Sequence, residues 1–159
     1  MHWTHRSLIV VVGCCAVGLF LAAGYAQAPG KQATKEEIAR LFDQWNAALQ
    51  TGKADEVANL YAPNAILLPT ISDKVRRNRA EIKEYFERFL QSKPFGKIDE
   101  QHIRIHGDLA LNSGTYTFTL TKGGKKSDVQ ARYTFVYHRQ GDRWLIVDHH
   151  SSEMPESRK

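Results

Sequence analysis

Asp148 and His150 stand two residues apart near the C-terminal end of the chain, inside the run Trp144-Leu145-Ile146-Val147-Asp148-His149-His150-Ser151-Ser152. On an extended strand that spacing puts both side chains on one face, roughly 7 Å apart. A carboxylate and an imidazole converging on a pocket form the pair that general acid and base catalysis needs, for example to move a proton next to a carbonyl group. Strict alternation expects Trp144, Ile146 and Ser152 on that same face, turned toward the covering helices. A cofactor-free isomerase, dehydratase or cyclase is therefore one function class, with Asp148 and His150 transferring protons and Tyr116 or Tyr133 stabilising an oxyanion. The plainer reading makes His150 a hydrogen-bonded core histidine and Asp148 a rim residue.

Other chemistry is thinner. His149 and His150 look like a metal pair, but neighbouring strand residues point to opposite faces, and His102 and His106 would lie about 13 Å apart on a strand. No metal and no cofactor is expected. His106-Gly107-Asp108-Leu109 with Asn112 superficially echoes a kinase catalytic loop, yet no glycine-rich phosphate loop accompanies it. Arg76-Arg77-Asn78-Arg79 is too short, and too poor in interleaved aromatics, for a nucleic-acid patch. It reads as a solvated loop over a pocket mouth, the functional alternative being an anionic-ligand gate near a helix N-terminus. Trp45, Tyr61, Tyr116 and Tyr133 suit an apolar pocket with polar tips, joined by Arg132 and Ser152. At helical or strand spacing the same aromatics equally suit a core. Asn46 and Asn112 are possible amide donors.

The chain of 159 residues, 42% hydrophobic and 25% charged, has the composition of one globular domain and leaves no room for a kinase catalytic fold. Its net charge of +5 hints at anionic partners. His2, His5 and Arg6 precede an uncharged run from Leu8 to Ala23, and small residues follow from Gly24 to Ala28. That is the pattern of a secretory signal peptide over 1–28, cleaved after Ala28 or, because Pro29 follows, after Ala26. The alternative is an uncleaved anchor, the one way this chain would contact a membrane. Export to the periplasm or the medium is expected. Cleavage would remove one arginine and both cysteines, Cys14 and Cys15, leaving a thiol-free domain of charge +4.

Residues 29–33 read as a linker and 156–159 as a tail. Thr34 and Glu37 make a capping box ahead of the helical stripe Ile38, Leu41, Phe42, Trp45 and Leu49. A second, shorter helix is expected over 54–61, ended by Pro63, then a short strand over 65–68. A second box, Asn78 with Glu81, opens a third helix with the stripe Ile82, Tyr85, Phe86, Phe89 and Leu90. From Ile98 the period becomes two, and the turns Gly107-Asp108, Lys122-Gly123-Gly124-Lys125 and Gln140-Gly141-Asp142-Arg143 separate four antiparallel strands. The class is α+β, with helices covering one face of the sheet. The last two strands look apolar on both faces, which points to a second copy packed on the uncovered one.

The order of elements, the Tyr61-Ala62-Pro63 helix end, the Gly107-Asp108 turn and Trp144 through Pro155 resemble the nuclear transport factor 2-like superfamily over 34–155. Within it they are most similar to the association (hub) domain of calcium/calmodulin-dependent protein kinase II in its stand-alone bacterial form. The resemblance implies a curved antiparallel sheet wrapped as a cone on a long N-terminal helix plus two shorter helices, with a conical pocket. It also implies a homodimer or larger ring and a small-molecule partner, an anion being one option, although the hub's own anionic-ligand site is not carried over as such. It does not imply kinase activity, and it hosts enzymes and binding proteins alike. The hub's pocket arginines fall on Tyr116, Phe135 and Ser151, which leaves Arg132 and Arg104 as replacements, and a family histidine falls on His150.

Overall fold

The computed structural model describes residues 32–155. The expected signal peptide, its two cysteines, most of the 29–33 linker and the 156–159 tail lie outside the described residues. Among those described, no helix is long and apolar enough to cross a membrane.

Helix α1, Lys35–Gln50, starts where the first capping box places it: the Thr34 side chain accepts from the Glu37 N–H at 3.1 Å. Its buried stripe is Ile38, Phe42, Trp45 and Leu49. Helix α2 is shorter than expected, Ala54–Ala58, because Tyr61, Ala62 and Pro63 belong to a strand, β1, Tyr61–Leu68. Proline is tolerated there because β1 is an edge strand with a break in its pairing between Tyr61 and Ile66. Helix α3, Arg79–Phe89, is capped by the Asn78 side chain accepting from the Glu81 N–H, and a single 3-10 turn, Leu90–Ser92, follows it. Lys93 then takes a left-handed backbone, φ 45°, ahead of Pro94.

Four strands complete the sheet: β2 Phe95–His106, β3 Leu109–Lys122, β4 Lys125–Gln140 and β5 Arg143–Glu153. They form the expected antiparallel meander. The spatial order is β1-β5-β4-β3-β2, with β1 parallel to β5. The chain is α+β, an N-terminal helix laid across a curved, unclosed five-strand sheet.

Two irregularities bend the sheet. In β2 the register shifts between Ile98 and Glu100 opposite β3, and in β5 an extra residue, Val147, intervenes because Val136 pairs with Asp148 while Tyr137 pairs with Ile146. Bulges increase local twist and turn a strand. The β5 bulge also reverses which side chains face the helices. Before it Ile146 is buried on the covered face, and after it His149 and Ser151 are, while His150 is exposed. The bulge accounts for part of this strand's two-faced apolarity; before it, Leu145 and Ile146 are buried on opposite faces. On β3 and β4 the outer face is dominated by Ser113, Thr115, Thr117, Arg132 and Thr134, with Leu111 and Val136 as a partly exposed apolar pair.

Candidate functional site

The expectation that Asp148 and His150 face the helix-covered side is overturned. The bulge at Val147 carries both to the outer face, where His150 pairs with Thr134 and Asp148 with Val136. They do share a face: burial raises the Asp148 carboxyl above its ordinary pKa, and His150 partly offsets this. Arg132 and Ser152 join them outside. Arg132 donates to the Ser152 hydroxyl at 3.1 Å in an exposed pair, and Arg104 is exposed as well. None of these five residues lines the interior.

The histidine that points inward is His149, 3% exposed. Trp45 Nε1–H donates to Tyr61 Oη at 3.1 Å, and Tyr61 Oη lies 2.9 Å from His149 Nδ1. Since the tyrosine oxygen already accepts from Trp45, its own proton goes to Nδ1, which assigns the His149 hydrogen to Nε2. Phe135 stacks on the imidazole with ring centroids 3.9 Å apart. Complete burial lowers the His149 pKa to about 3, and it pushes the Tyr61 hydroxyl well above its usual range. The ring is therefore neutral across the physiological range.

Beside this chain, Tyr116 Oη–H donates to Ser151 Oγ at 2.5 Å, and Ser151 also bonds the Thr70 hydroxyl. Tyr133 Oη–H donates to Asn112 Oδ1 at 3.0 Å, and burial pushes that phenol up to about 12. Asn46 serves a different end from the pocket role open to it. Its amide donates to the Gly96 carbonyl and accepts from the Gly96 N–H, both at 2.9 Å, locking α1 onto β2.

Trp45, Tyr61, Tyr116 and Tyr133 do converge in the cone, as expected of pocket residues, but they fill it. Trp45 packs edge-on to Phe86, Phe118 and Phe135 at 5.4 to 6.1 Å, and Tyr116 meets Tyr133 at 4.9 Å. The remaining void between Trp45, Thr70, Tyr116, His149 and Ser151 is about 20 Å³, the room of about one water molecule. His149 Nε2 is buried and lacks a protein partner. No described buried residue is a carboxylate. The interior thus offers hydrogen-bond donors and aromatic surface but no general base of carboxylate type.

Usable space lies at the mouth instead. A cleft of about 540 Å³ opens between α3, the loop after β1 and the β3–β4 hairpin, walled by Ile71, Tyr85, Phe89 and Leu120. Arg76, Arg88 and Lys122 border it, with no carboxylate among its lining residues. Two hollows of about 630 Å³ lie elsewhere, one between α1 and β2 and one on the outer sheet, and none of their lining residues is buried. Sequence reasoning placed the Arg76 to Arg79 run at the mouth but did not separate its members. Arg79 is structural, donating from Nε at 3.1 Å and Nη2 at 2.6 Å to the Tyr61 carbonyl. Arg77 is exposed, while Arg76 is 3% exposed. Among the described residues no cluster of histidine, cysteine and carboxylates suits a metal ion.

The fold recurs in known proteins. Residues 34–155 match the family model described as calcium/calmodulin dependent protein kinase II association domain. A solved Xanthomonas campestris protein assigned to that association domain is 53% identical, covering 82% of this chain and 95% of its own, with a TM-score of 0.77. An NTF2-like protein with a cystatin-like fold from Novosphingobium aromaticivorans shares the fold at 14% identity, with coverage of 77% and 82% and a TM-score of 0.65. A Streptomyces avermitilis protein of the NTF2-like family, named as a proposed dehydratase, does so at 16% identity, with coverage of 76% and 97% and a TM-score of 0.68. No curated protein matches the sequence. A family-model match over residues 34–155, together with a solved relative 53% identical over most of both chains, settles the family: the chain belongs to the calcium/calmodulin dependent protein kinase II association domain family.

Proposed function

We propose that this chain is an exported, oligomerising module that binds a small molecule in the cleft at the mouth of its cone and performs no chemistry on it. The observation that carries the ligand reading is the contrast between the two spaces. The interior void of about 20 Å³ admits no organic ligand, whereas the mouth cleft of about 540 Å³ lies within the range of ordinary small-molecule sites. Its apolar wall favours a ligand with a flat or aliphatic body. Asp148 and His150 face away from it and play no part. Association domains oligomerise, and the partly exposed Leu111–Val136 pair on the outer sheet face supports a homodimer formed there. The basic start, the apolar run and the small-residue exit of 1–28 support export.

N-phenyl-1-naphthylamine, a neutral apolar dye, is expected to bind saturably with a rise in fluorescence. Leu120→Glu, which replaces apolar wall surface by a hydrated carboxylate, should weaken it at least about fivefold, since the dye would have to strip water from a charged group on entering. Dye binding that is absent or indifferent to Leu120→Glu removes the cleft as the site. Native mass spectrometry of the protein recovered after export should show a mass lacking residues 1–26 or 1–28 and a multiple of two protomers. An unprocessed chain refutes export by cleavage, and a monomer at micromolar concentration refutes the assembly.

A further inference from the structure

We propose that the β3–β4 hairpin is a membrane-surface contact: its lysine tip, with the exposed Ile71 beside it, seats the domain on a bilayer that carries anionic phospholipid. The proposal does not depend on the cleft holding a ligand. It gives the chain a route to a membrane other than residues 1–28.

The hairpin projects beyond the sheet. β2 begins its pairing with β3 at Thr119, and β5 ends its pairing with β4 at Ala131. The last rungs, Leu120 with Ser127, Thr121 with Lys126 and Lys122 with Lys125, therefore have no described strand on either side. Residues 122–128 are all exposed. The turn is made by backbone alone: Gly123 and Gly124 take φ of 56° and 77°, the two-glycine geometry whose twist matches that of the strands. It does not require a lysine on each side.

Yet Lys122 and Lys125 stand directly opposite each other, and like charges so placed weaken a strand pair. No acid relieves them. Among the described residues neither they nor Lys126 forms an ion pair, and the nearest carboxylate along the hairpin, Asp128, accepts from the Thr119 hydroxyl at 2.7 Å. Lys93, exposed next to the cleft residue Ser92, is unpaired as well. An arrangement that opposes its own strand pairing and stays unneutralised suits an anionic partner from outside.

The placement selects the kind of anion. Strand alternation puts Lys122 and Lys125 on the face that carries Leu120 toward the cleft, and Lys126 on the other. Side chains on opposite faces of a ribbon cannot close around one small ion, whereas a charged plane meeting the tip end-on reaches all three. An apolar group stands beside them. Ile71, 55% exposed, lines the same cleft as Lys122 and Gly123. Cations flanking an exposed aliphatic side chain suit a lipid headgroup layer, where the charges are drawn to anionic lipid and the apolar group enters the interface.

The test is co-sedimentation of the purified chain with vesicles of phosphatidylcholine containing about one third phosphatidylglycerol, beside vesicles of phosphatidylcholine alone. In about 0.1 M salt the anionic vesicles should be preferred at least about tenfold, and the preference should fade near about 0.5 M as the charges are screened. Lys122→Gln combined with Lys125→Gln should remove most of it, and Ile71→Ser should weaken attachment to the anionic vesicles about threefold. Lys35→Gln combined with Arg143→Gln removes the same charge at the start of α1 and at the far end of the sheet, and should leave the preference within about twofold of the parent. Equal attachment to both vesicles, or none, overturns the proposal and leaves the lysines as guards against pairing at the ribbon's open edges. So does a preference that survives the Lys122 and Lys125 double substitution, or one lost equally in the Lys35 and Arg143 pair, which would reflect net charge alone. Release from the anionic vesicles by inorganic phosphate at constant ionic strength would indicate a point anion site and overturns the bilayer as the partner.

Discussion

Gly114→Ala is expected to destabilise the domain by about 3 kcal/mol or more, enough to leave it largely unfolded in mild denaturant. Gly114 lies in β3 where its partner strand β2 is bulged, paired with Gln101 on one side and Tyr133 on the other. A Cβ built there would stand 1.9 Å from the Glu100 carbonyl oxygen and 2.7 Å from its carbon. Both are backbone atoms in a ladder, so neither can swing aside as a side chain would. Relief would require β2 to lift off β3 where the sheet bends over α1. Gly96→Ala is the matched control. Its Cβ would meet the Phe118 ring at 3.0 Å, and a ring edge can shift, so a cost nearer 1 kcal/mol is expected. Urea unfolding of the two variants beside the parent separates them. A Gly114→Ala protein within 1 kcal/mol of the parent would show that the close approach of these strands is not needed for the curvature.

Acid is the second strong lever, through His149. In the unfolded chain an imidazole protonates near pH 6.5, whereas in the folded domain burial holds its pKa at about 3. Below pH 6.5 the unfolded state therefore takes up a proton that the folded state refuses. The contribution of the neutral, buried ring is complete above pH 6.5 and is lost as the pH falls toward 3, at about 1.4 kcal/mol per pH unit. By pH 5 the loss is roughly 2 kcal/mol, in a window where most carboxylates have barely begun to titrate. Unfolding free energies measured from pH 7.5 to 5 should fall with that slope. His149→Gln, which keeps a polar group beside Tyr61 but cannot titrate, should start lower at pH 7.5 and run nearly flat. A parent protein equally stable at pH 7 and pH 5 would mean that His149 is not held neutral in the folded state.

How much of this was readable in advance depends on the range of the interaction behind each feature. Of the two capping boxes, the N-cap halves form as expected, Thr34 accepting from the Glu37 N–H and Asn78 from the Glu81 N–H, contacts three residues apart, while the glutamate carboxylates accept elsewhere, Glu37 from Trp144 and Glu81 from the Arg77 N–H. The stripes Ile38 to Leu49 and Ile82 to Phe86 follow from helical period alone, and the hairpin glycines at 123, 124 and 141 take the positive φ those turns demand. The site aromatics Trp45, Tyr61, Tyr116 and Tyr133 were found because large, periodic aromatics are buried somewhere. Whether they line a space or fill it is a matter of summed volume across five elements, which no single segment reports.

The expectation that Asp148 and His150 face the helix-covered side fails for a specific reason. Side-chain direction in a strand has a period of two, so one inserted residue inverts everything beyond it. Val147 is an ordinary strand residue, and its unpaired position is visible only against β4. The same holds for β1, whose parallel pairing with β5 joins residues 85 positions apart at Tyr61 and Ile146. It holds for Arg76 too. The three arginines of the basic run divide into a strand anchor, Arg79, an exposed cation, Arg77, and a buried guanidinium, Arg76, only when α3 and the hairpin close around the loop.

By itself, then, the sequence determined the elements apart from the α2–β1 boundary, the N-caps and turns, the α+β class and the membership of the aromatic core, because each rests on local backbone preference and on burial periodicity. The tertiary structure decided which histidine faces inward, that the cone is filled, and that the open space and its cationic edge lie at the mouth. Those depend on strand register and on packing between residues far apart in the chain, where a shift of one position changes which chemistry the interior contains.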